Sequence, residues 1–191
     1  MNDKSITDLH NPSAKQDAAT KSYVDTRWIK SNVGYVPNLT SNENKNGFIV
    51  SASSEYFGGE AYHVFSDSGD YKGDWTTVDS VSTNFWIQIK CPEKVKVYKI
   101  KLCGLLVWDS SGIKNDKILS NWKWQGSNDG SNWTTLNDYN DTVMGNEIVE
   151  VIVTAVSYSY YRIFVTKAET TRANPSLSYW QLYTLQQVFK N

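Results

Sequence analysis

The chain has 191 residues, with 19 Lys and Arg against 20 Asp and Glu, a formal net charge of −1 and a pI near 6.1. That near-balance supplies no basic field for a phosphate backbone and argues against nucleic acid as a partner. No run of about 18 apolar residues is present to span a bilayer, and the opening MNDKSITDLHNPS lacks the basic-then-apolar form of a secretory signal. The anomaly is an aromatic content of 14%, with 8 Trp and 12 Tyr, residues that serve both a β core and a binding surface offering flat apolar faces.

Residues 1–35 differ in kind from the rest of the chain. From Ser13 to Trp28 the text SAKQDAATKSYVDTRW has a capping-box spacing at Ser13 and Gln16, directly behind Pro12. Asp17, Lys21 and Asp25 share one helical face, and Ala14, Ala18, Val24 and Trp28 suggest a narrow apolar one. The pattern predicts a short helix. Isolated helices under roughly 12–15 residues are marginal in water, so it must pack on something. Ile6, Leu9, Pro12, Asp17, Ala18, Thr20, Lys21, Tyr23, Val24 and Asp25 form a phrase that resembles a linker near the C-termini of phage tail-fibre and related trimeric adhesin proteins. The resemblance implies three helices packed about an axis, a homotrimer in which residues 1–35 are linker and collar. A helix folded back on its own sandwich stays open as the alternative.

Val36 to Lys45 reads as a polar connector. Strand signals then fall near 47–53, 62–66, 84–91, 95–107, 119–127, 132–136, 147–154, 157–166 and 177–189. A spacing of about ten residues with polar turns between is what a sandwich or barrel produces. Within 95–107 the inward parity must change between Val97 and Ile100, which predicts a bulge near Tyr98. Asp129-Gly130, inside SNDGSNW (Ser127 to Trp133), is a tight-turn signal, since Gly adopts positive φ without a Cβ clash. Cys91 shares parity with the inward Ile87 and Ile89, whereas Cys103 has the opposite parity from its inward neighbour Leu102, so two thiols are expected rather than a bridge.

The order of these pieces carries more than any one of them. Phe65, Asp67 and Trp75; Trp86, Ile87 and Ile89; Trp122, Trp124, Ser127, Asp129, Gly130 and Trp133; then Tyr161, Arg162 and Ile163 form a series that resembles the discoidin-type, galactose-binding-like family, also called coagulation-factor C-terminal-type domains. The match covers roughly residues 47–185. It implies an all-β, jelly-roll antiparallel β-sandwich over residues 36–191, preceded by the short N-terminal helix. It also implies recognition of sugars in most members, and of phospholipid or protein in some. Trp75, Trp86, Trp122, Trp124 and Trp133 match framework positions and are expected to pack.

Sugars present apolar C–H faces to aromatic rings and hydroxyls to planar amide, carboxylate or guanidinium groups, so a site should pair an aromatic with fixed polar groups on loops. Two loops meet that description. LVWDSSGIKNDKI (Leu106 to Ile118) carries Trp108 and Asp109, then Asn115; SSEYFGGEAYH (Ser53 to His63) carries Tyr56 and Phe57 before two glycines, then His63. In the family these loops share one end of the sandwich with the loop before the last strand, here ETTRANPS with Arg172 and Asn174. Each residue also has a bland reading: Tyr56 and Phe57 tucked beneath the sandwich, His63 as a hydrogen-bonded strand residue, Arg172 and Asn174 as solvated loop groups.

The segment FSDSGDYKGDW (Phe65 to Trp75) gathers Asp67, Asp70 and Asp74 among small residues, an oxygen-rich loop that suits calcium. The family often holds a calcium under this loop with an acidic residue in the final strand. Here the final-strand positions are Tyr179 and Gln181, which offer no carboxylate, so solvated turn acids are the competing reading. For catalysis there is no G-x-S-x-G elbow, H-E-x-x-H, C-x-x-C or phosphate loop, and the chain reads as a binder rather than an enzyme. The expected role is an extracellular, cell-surface or virion fibre tip that attaches to glycan. The rivals are a membrane or protein binder inserting Tyr56, Phe57 and Trp108, disfavoured by the scarcity of Lys and Arg beside them, and a structural fibre cap.

Overall fold

The computed structural model describes residues 28–43, 46–66, 74–78, 83–104, 107–109, 112–114, 121–140, 147–168 and 176–187. The predicted helix, apart from Trp28, lies outside them, and Trp28 itself opens a strand rather than closing a helical turn. The strands are β1 (Trp28–Lys30), β2 (Ile49–Ala52), β3 (Trp75–Thr76), β4 (Phe85–Gly104), β5 (Val107–Asp109), β6 (Gly112–Lys114), β7 (Asn121–Ser127), β8 (Thr134–Tyr139), β9 (Val149–Ile152), β10 (Ser157–Lys167) and β11 (Ser176–Gln187). The pairing order is β1-β11-β4-β10-β7-β8, with β2 and β9 also on β4, β3 on β11, and β5-β6 as a separate hairpin. All of these pairs are antiparallel. The architecture is the expected jelly-roll β-sandwich.

The two strands expected at 84–91 and 95–107 are one, β4, and it serves both layers. Its first half pairs with β2 and β10, and its second half with β9 and β11. Between them Pro92, Glu93 and Lys94 are exposed. Phe85, Ile87, Ile89, Cys91, Val95 and Val97 point inward, then the parity switches so that Ile100 and Leu102 do. The switch is the expected bulge. Val97 pairs with Thr184 and Lys99 with Tyr183, which leaves Tyr98 as the additional residue.

The core between the layers is aromatic. Trp124 stacks on Tyr161 at 5.0 Å and meets Trp180 edge-on at 6.1 Å, Trp180 lies 5.1 Å from Phe65, and Trp75 packs near Phe85. Burying a large apolar side chain contributes roughly 1.5–3 kcal/mol, so this chain of rings is the main reason the layers stay closed. The Tyr161 hydroxyl lies 2.6 Å from the carbonyls of Val95 and Val156 and accepts from the Tyr158 N–H. It thereby ties the turn of β4 to the start of β10, and burial pushes its pKa well above the usual phenol range. Cys91 and Cys103 are buried free thiols, and burial raises that of Cys91 to about 12.

Two further expectations fail in the fold. Residues 62–66 form no strand; Ala61–Phe65 is a 3-10 helix, because its buried residues Ala61, Val64 and Phe65 recur at three and four rather than at two. Of the five framework tryptophans, Trp75, Trp122 and Trp124 are core, whereas Trp86 and Trp133 are half-buried. Trp86 has the outward parity of β4, and Trp133 packs against the Arg162 guanidinium at 4.1 Å. Trp180, fully buried, is a core residue outside the motif series.

Candidate functional site

The bend in β4 sends both its ends to the same end of the sandwich. The Ser53 N–H donates to Trp86, the Trp75 indole to Ser54, Thr76 meets Ser176 through their hydroxyls, and Leu177 pairs with Gly104. At this end Tyr56 and Gly59 form a tight bridge whose outer edge bonds to Thr76, with the Tyr56 N–H donating to the Thr76 carbonyl at 2.8 Å and the Thr76 N–H to Gly59 at 3.1 Å. Gly58 has φ +80, the left-handed region that glycine enters without strain. Adding a Cβ at Gly59 would bring it 2.9 Å from the Thr76 Cβ, so both glycines are needed for the turn to lie this close.

The turn holds its aromatics outward. Phe57 is 96% exposed and Tyr56 53% exposed, the largest exposure of any aromatic pair among the described residues. The tucked-under reading of these two residues is thereby overturned. Behind them the Glu55 carboxylate accepts from the Asn42 amide and the Ala61 N–H, and Asn42 accepts from Tyr62. These bonds anchor the 3-10 helix to the turn.

His63 sits in that helix. Its ring packs edge-on against Tyr62 at 4.2 Å, its Nε2 lies 3.5 Å from Glu60, and its buried Nδ1 has no protein partner. This is neither the hydrogen-bonded strand residue of the bland reading nor a fully exposed loop group.

For the second loop, β5 and β6 form a hairpin in which Trp108 pairs with Ile113 and Asp109 with Gly112. Trp108 thus lies within a strand of a small separate hairpin, not on an irregular loop. Asn115, Arg172, Asn174, Asp67 and Asp70 lie outside the described residues. At the end of the sandwich that holds the Tyr56 turn, β4 ends at Gly104, β7 begins at Asn121, β10 ends at Lys167 and β11 begins at Ser176.

Next to Ser66, where the acidic segment begins, a cleft of about 230 Å³ is lined by Val36, Asn38, Phe65, Ser66, Tyr179 and Gln181. Its described lining bears amides and hydroxyls and no carboxylate. The Gln181 amide is committed to the backbone, accepting from Val36 and Leu182 and donating to the Val36 carbonyl. Among the described residues no three His, Cys, Asp or Glu converge. The final-strand partner that a calcium would need is therefore not supplied by Tyr179 or Gln181, and Asp74 within the described part accepts from Thr76.

The opposite end of the sandwich is where the chain joins it. β1 pairs with the last residues of β11, Trp28 with Gln187, and the following segment climbs β11 through the Ser31 and Tyr35 N–H groups to Gln181. The Tyr56 turn and the start of β1 therefore mark opposite ends.

Residues 49–180 match the model of the F5/8 type C domain. The chain belongs to the F5/8 type C domain family. Solved structures agree with this. Chitosan-binding module 1 of a chitosanase/glucanase from Paenibacillus sp. IK-5 is 25% identical with a TM-score of 0.58, covering 72% of this chain and 95% of that one. Module 2 of the same enzyme, in complex with chitotriose, is 20% identical with a TM-score of 0.58, covering 72% and 96%. The family 32 carbohydrate-binding module of Clostridium perfringens NanJ, in complex with galactose, is 15% identical with a TM-score of 0.55, covering 72% and 93%. No curated protein matches. In this F5/8 type C domain no helix among the described residues is long and apolar enough to cross a membrane.

Proposed function

We propose that this F5/8 type C domain binds glycan through the loop end of its sandwich, and that it forms the receptor-recognition tip of a trimeric fibre or adhesin outside the cell. The observation that carries the reading is the Tyr56–Gly59 turn. It holds two aromatic rings in solvent at the end of the domain away from β1, with a partly buried imidazole behind them. Phe57 at 96% and its neighbour Tyr56 at 53% exposure put two adjacent rings in solvent on one glycine turn, an apolar patch of the kind that supports contact with a ligand. The similar modules from Paenibacillus and C. perfringens carry chitotriose and galactose, which supports a sugar as that contact.

In this reading Tyr56 and Phe57 are platforms for apolar sugar faces, and His63, Trp108, Asp109, Asn115, Arg172 and Asn174 are the polar and aromatic surroundings. The chain enters the described part at Trp28, at the opposite end, and residues 28–35 already pack along β11, so three domains gathered by the residues before Trp28 would all present their loops outward. A shallow sugar site with a Kd of ~1 mM is worth only about 4 kcal/mol. Holding three such sites at fixed distances raises avidity by roughly 10² to 10⁴. Weak single sites and a trimeric collar suit each other.

The test is a glycan array of neutral, amino and acidic oligosaccharides with the whole chain, beside Tyr56→Ala/Phe57→Ala. Hits that vanish in the variant at unchanged melting temperature support the loop site, and hits that persist overturn it. Sedimentation equilibrium of the whole chain supplies the second half: a monomer at micromolar concentration rules out the collar.

A further inference from the structure

The outer face of the layer formed by β9, the second half of β4, β11 and β1 is unlike the loop end. In register across it lie Lys30, Leu185 and Lys96, and one step along, Tyr183 and Lys99, then Gln181 and Lys101. Paired residues in antiparallel strands share a face. The bulge at Tyr98 makes this possible, because strict alternation from Lys96 would turn Lys99 and Lys101 into the core. Each ammonium is held at a ring. Lys96 lies 4.7 Å from the Trp28 centroid, Lys30 5.4 Å from Tyr98, and Lys99 and Lys101 4.3 and 5.5 Å from Tyr183.

Glu150 pairs with both Lys99 and Lys101, at 3.3 and 2.9 Å, and is the one carboxylate in contact with these four lysines among the described residues. In a chain of net charge −1 this is a local positive field. The row runs into a cleft of about 500 Å³ where Trp28, itself 41% exposed, lies with Lys96, Ser157 and Gln187, and with Glu93 and Lys94 also in its lining.

We infer that this face is a second binding site, separate from the loops, for an acidic polysaccharide whose carboxylates or sulfates lie along the lysine row and whose sugar rings rest against Trp28. Charge complementarity selects an anion. The mixture of exposed indole, hydroxyl and amide beside the cation selects a sugar over an acidic protein, which would need a clustered apolar anchor. The exposed apolar groups here, Trp28 and Ile152, sit on strands at opposite edges of the layer. A lipid surface fits less well, since the Lys99 and Lys101 side chains, 15% and 29% exposed, lie along the sheet instead of standing off it. Pre-placed ammonium groups also lose less side-chain freedom on binding.

The test measures retention of the whole chain by polygalacturonate, its methyl-esterified form, dextran sulfate, poly-L-glutamate and phosphatidylserine vesicles, at low salt and at about 0.15 M, where exposed charges are screened beyond about 8 Å. Polygalacturonate distinguishes carboxylate from sulfate recognition when set beside dextran sulfate. Retention by at least one of these two, and not by the ester, is expected. Four lysine contacts together are worth roughly tenfold or more in affinity, so Lys30→Gln/Lys96→Gln/Lys99→Gln/Lys101→Gln should lose that much. Lys96→Gln and Trp28→Ala, which leave the Glu150 pairs untouched, should each weaken binding with the melting temperature kept, which covers the event that the fourfold variant does not fold. Lys90→Gln/Lys123→Gln, on the other layer, removes two charges away from the row, to be set against Lys30→Gln/Lys96→Gln, and should bind as wild type, and Tyr56→Ala/Phe57→Ala should leave the acidic polymers bound. Equal loss in the control, equal retention by the ester, or tighter binding to poly-L-glutamate or vesicles overturns the site.

Discussion

The two ends of the sandwich each carry a tight turn with glycine, an acid and aromatic residues close by, and they dispose of those aromatics in opposite ways. At the Ser127–Trp133 turn the Ser127 hydroxyl accepts from the N–H groups of Asp129 and Gly130, and the Asp129 carboxylate accepts from Ser131, from the Asn132 backbone and from the Asn132 side chain. Trp133 is then laid on Arg162, whose guanidinium is also 5.0 Å from Phe164 and donates to Gln125 at 2.6 Å. Burial between these groups lowers the Arg162 pKa to about 10. At the Tyr56–Gly59 turn the hydrogen bonds run between backbones, and both rings face solvent. The first turn uses its side chains to fix itself; the second leaves its rings exposed, which is what the proposed recognition role requires. A framework turn and a recognition turn can therefore be told apart by where their polar and aromatic atoms are already committed.

The comparison is tested most severely in the core that both turns cap. Trp124→Ala removes the ring stacked on Tyr161 and abutting Trp180 and should cost about 3–5 kcal/mol, read from a shift in urea midpoint at unchanged slope. Gly126→Ala comes next. Its Cβ would lie 2.2 Å from the Tyr158 ring, which packs edge-on against Tyr161, so the ring must move at a cost of about 1–3 kcal/mol. A cost under about 0.5 kcal/mol, the range of an ordinary surface substitution, would mean that the framework end is looser than its hydrogen bonds imply.

Asp129 gives a smaller, pH-dependent effect. Its hydrogen bonds from Asn132, Ser131 and Ser127 hold the folded carboxyl well below the usual carboxylate range. A depressed folded pKa stabilises the fold above the unfolded value, about 3.9, and that contribution is lost as pH falls through the lower folded value. Wild type should thus lose stability below pH about 4, whereas Asp129→Asn should be less stable at neutral pH and show a shallower acid limb. Parallel acid limbs for the two proteins would show that the carboxylate is not what fixes this turn.

Much of the fold could be read from the chain because its signals are local and periodic. The parity change between Val97 and Ile100 located the bulge at Tyr98, and SNDG located the framework turn. What the residues did not reveal depended on non-local facts. Alternation cannot say that β4 bends at Pro92 without ending, and a short apolar run such as AYHVF does not distinguish strand from 3-10 helix unless its buried spacing of three and four is noticed. Trp86 and Trp133 look like core residues by type, and their outward placement follows from pairing with Phe164 and from the Arg162 contact. The lysines of KVKVYKIK give no local sign of sharing one face; that took the bulge at Tyr98, and β1 and β11 to bring Lys30, Trp28 and Tyr183 alongside.

The sharpest separation of the two ends comes from the smallest structural change. Phe57→Ala removes a side chain that is 96% exposed and makes no core contact, so stability should stay within about 0.5 kcal/mol of wild type. If the turn serves recognition, the same substitution should lower array signal about tenfold, comparable to about 1.4 kcal/mol of lost contact. Trp133→Ala should do the reverse, lowering the melting temperature through the bared Arg162 and leaving sugar binding unchanged. A Phe57→Ala protein that both melts and binds like wild type would mean that the exposed ring is idle, and the distinction between a self-fixing turn and a ligand-facing one would fail at the end where it matters most.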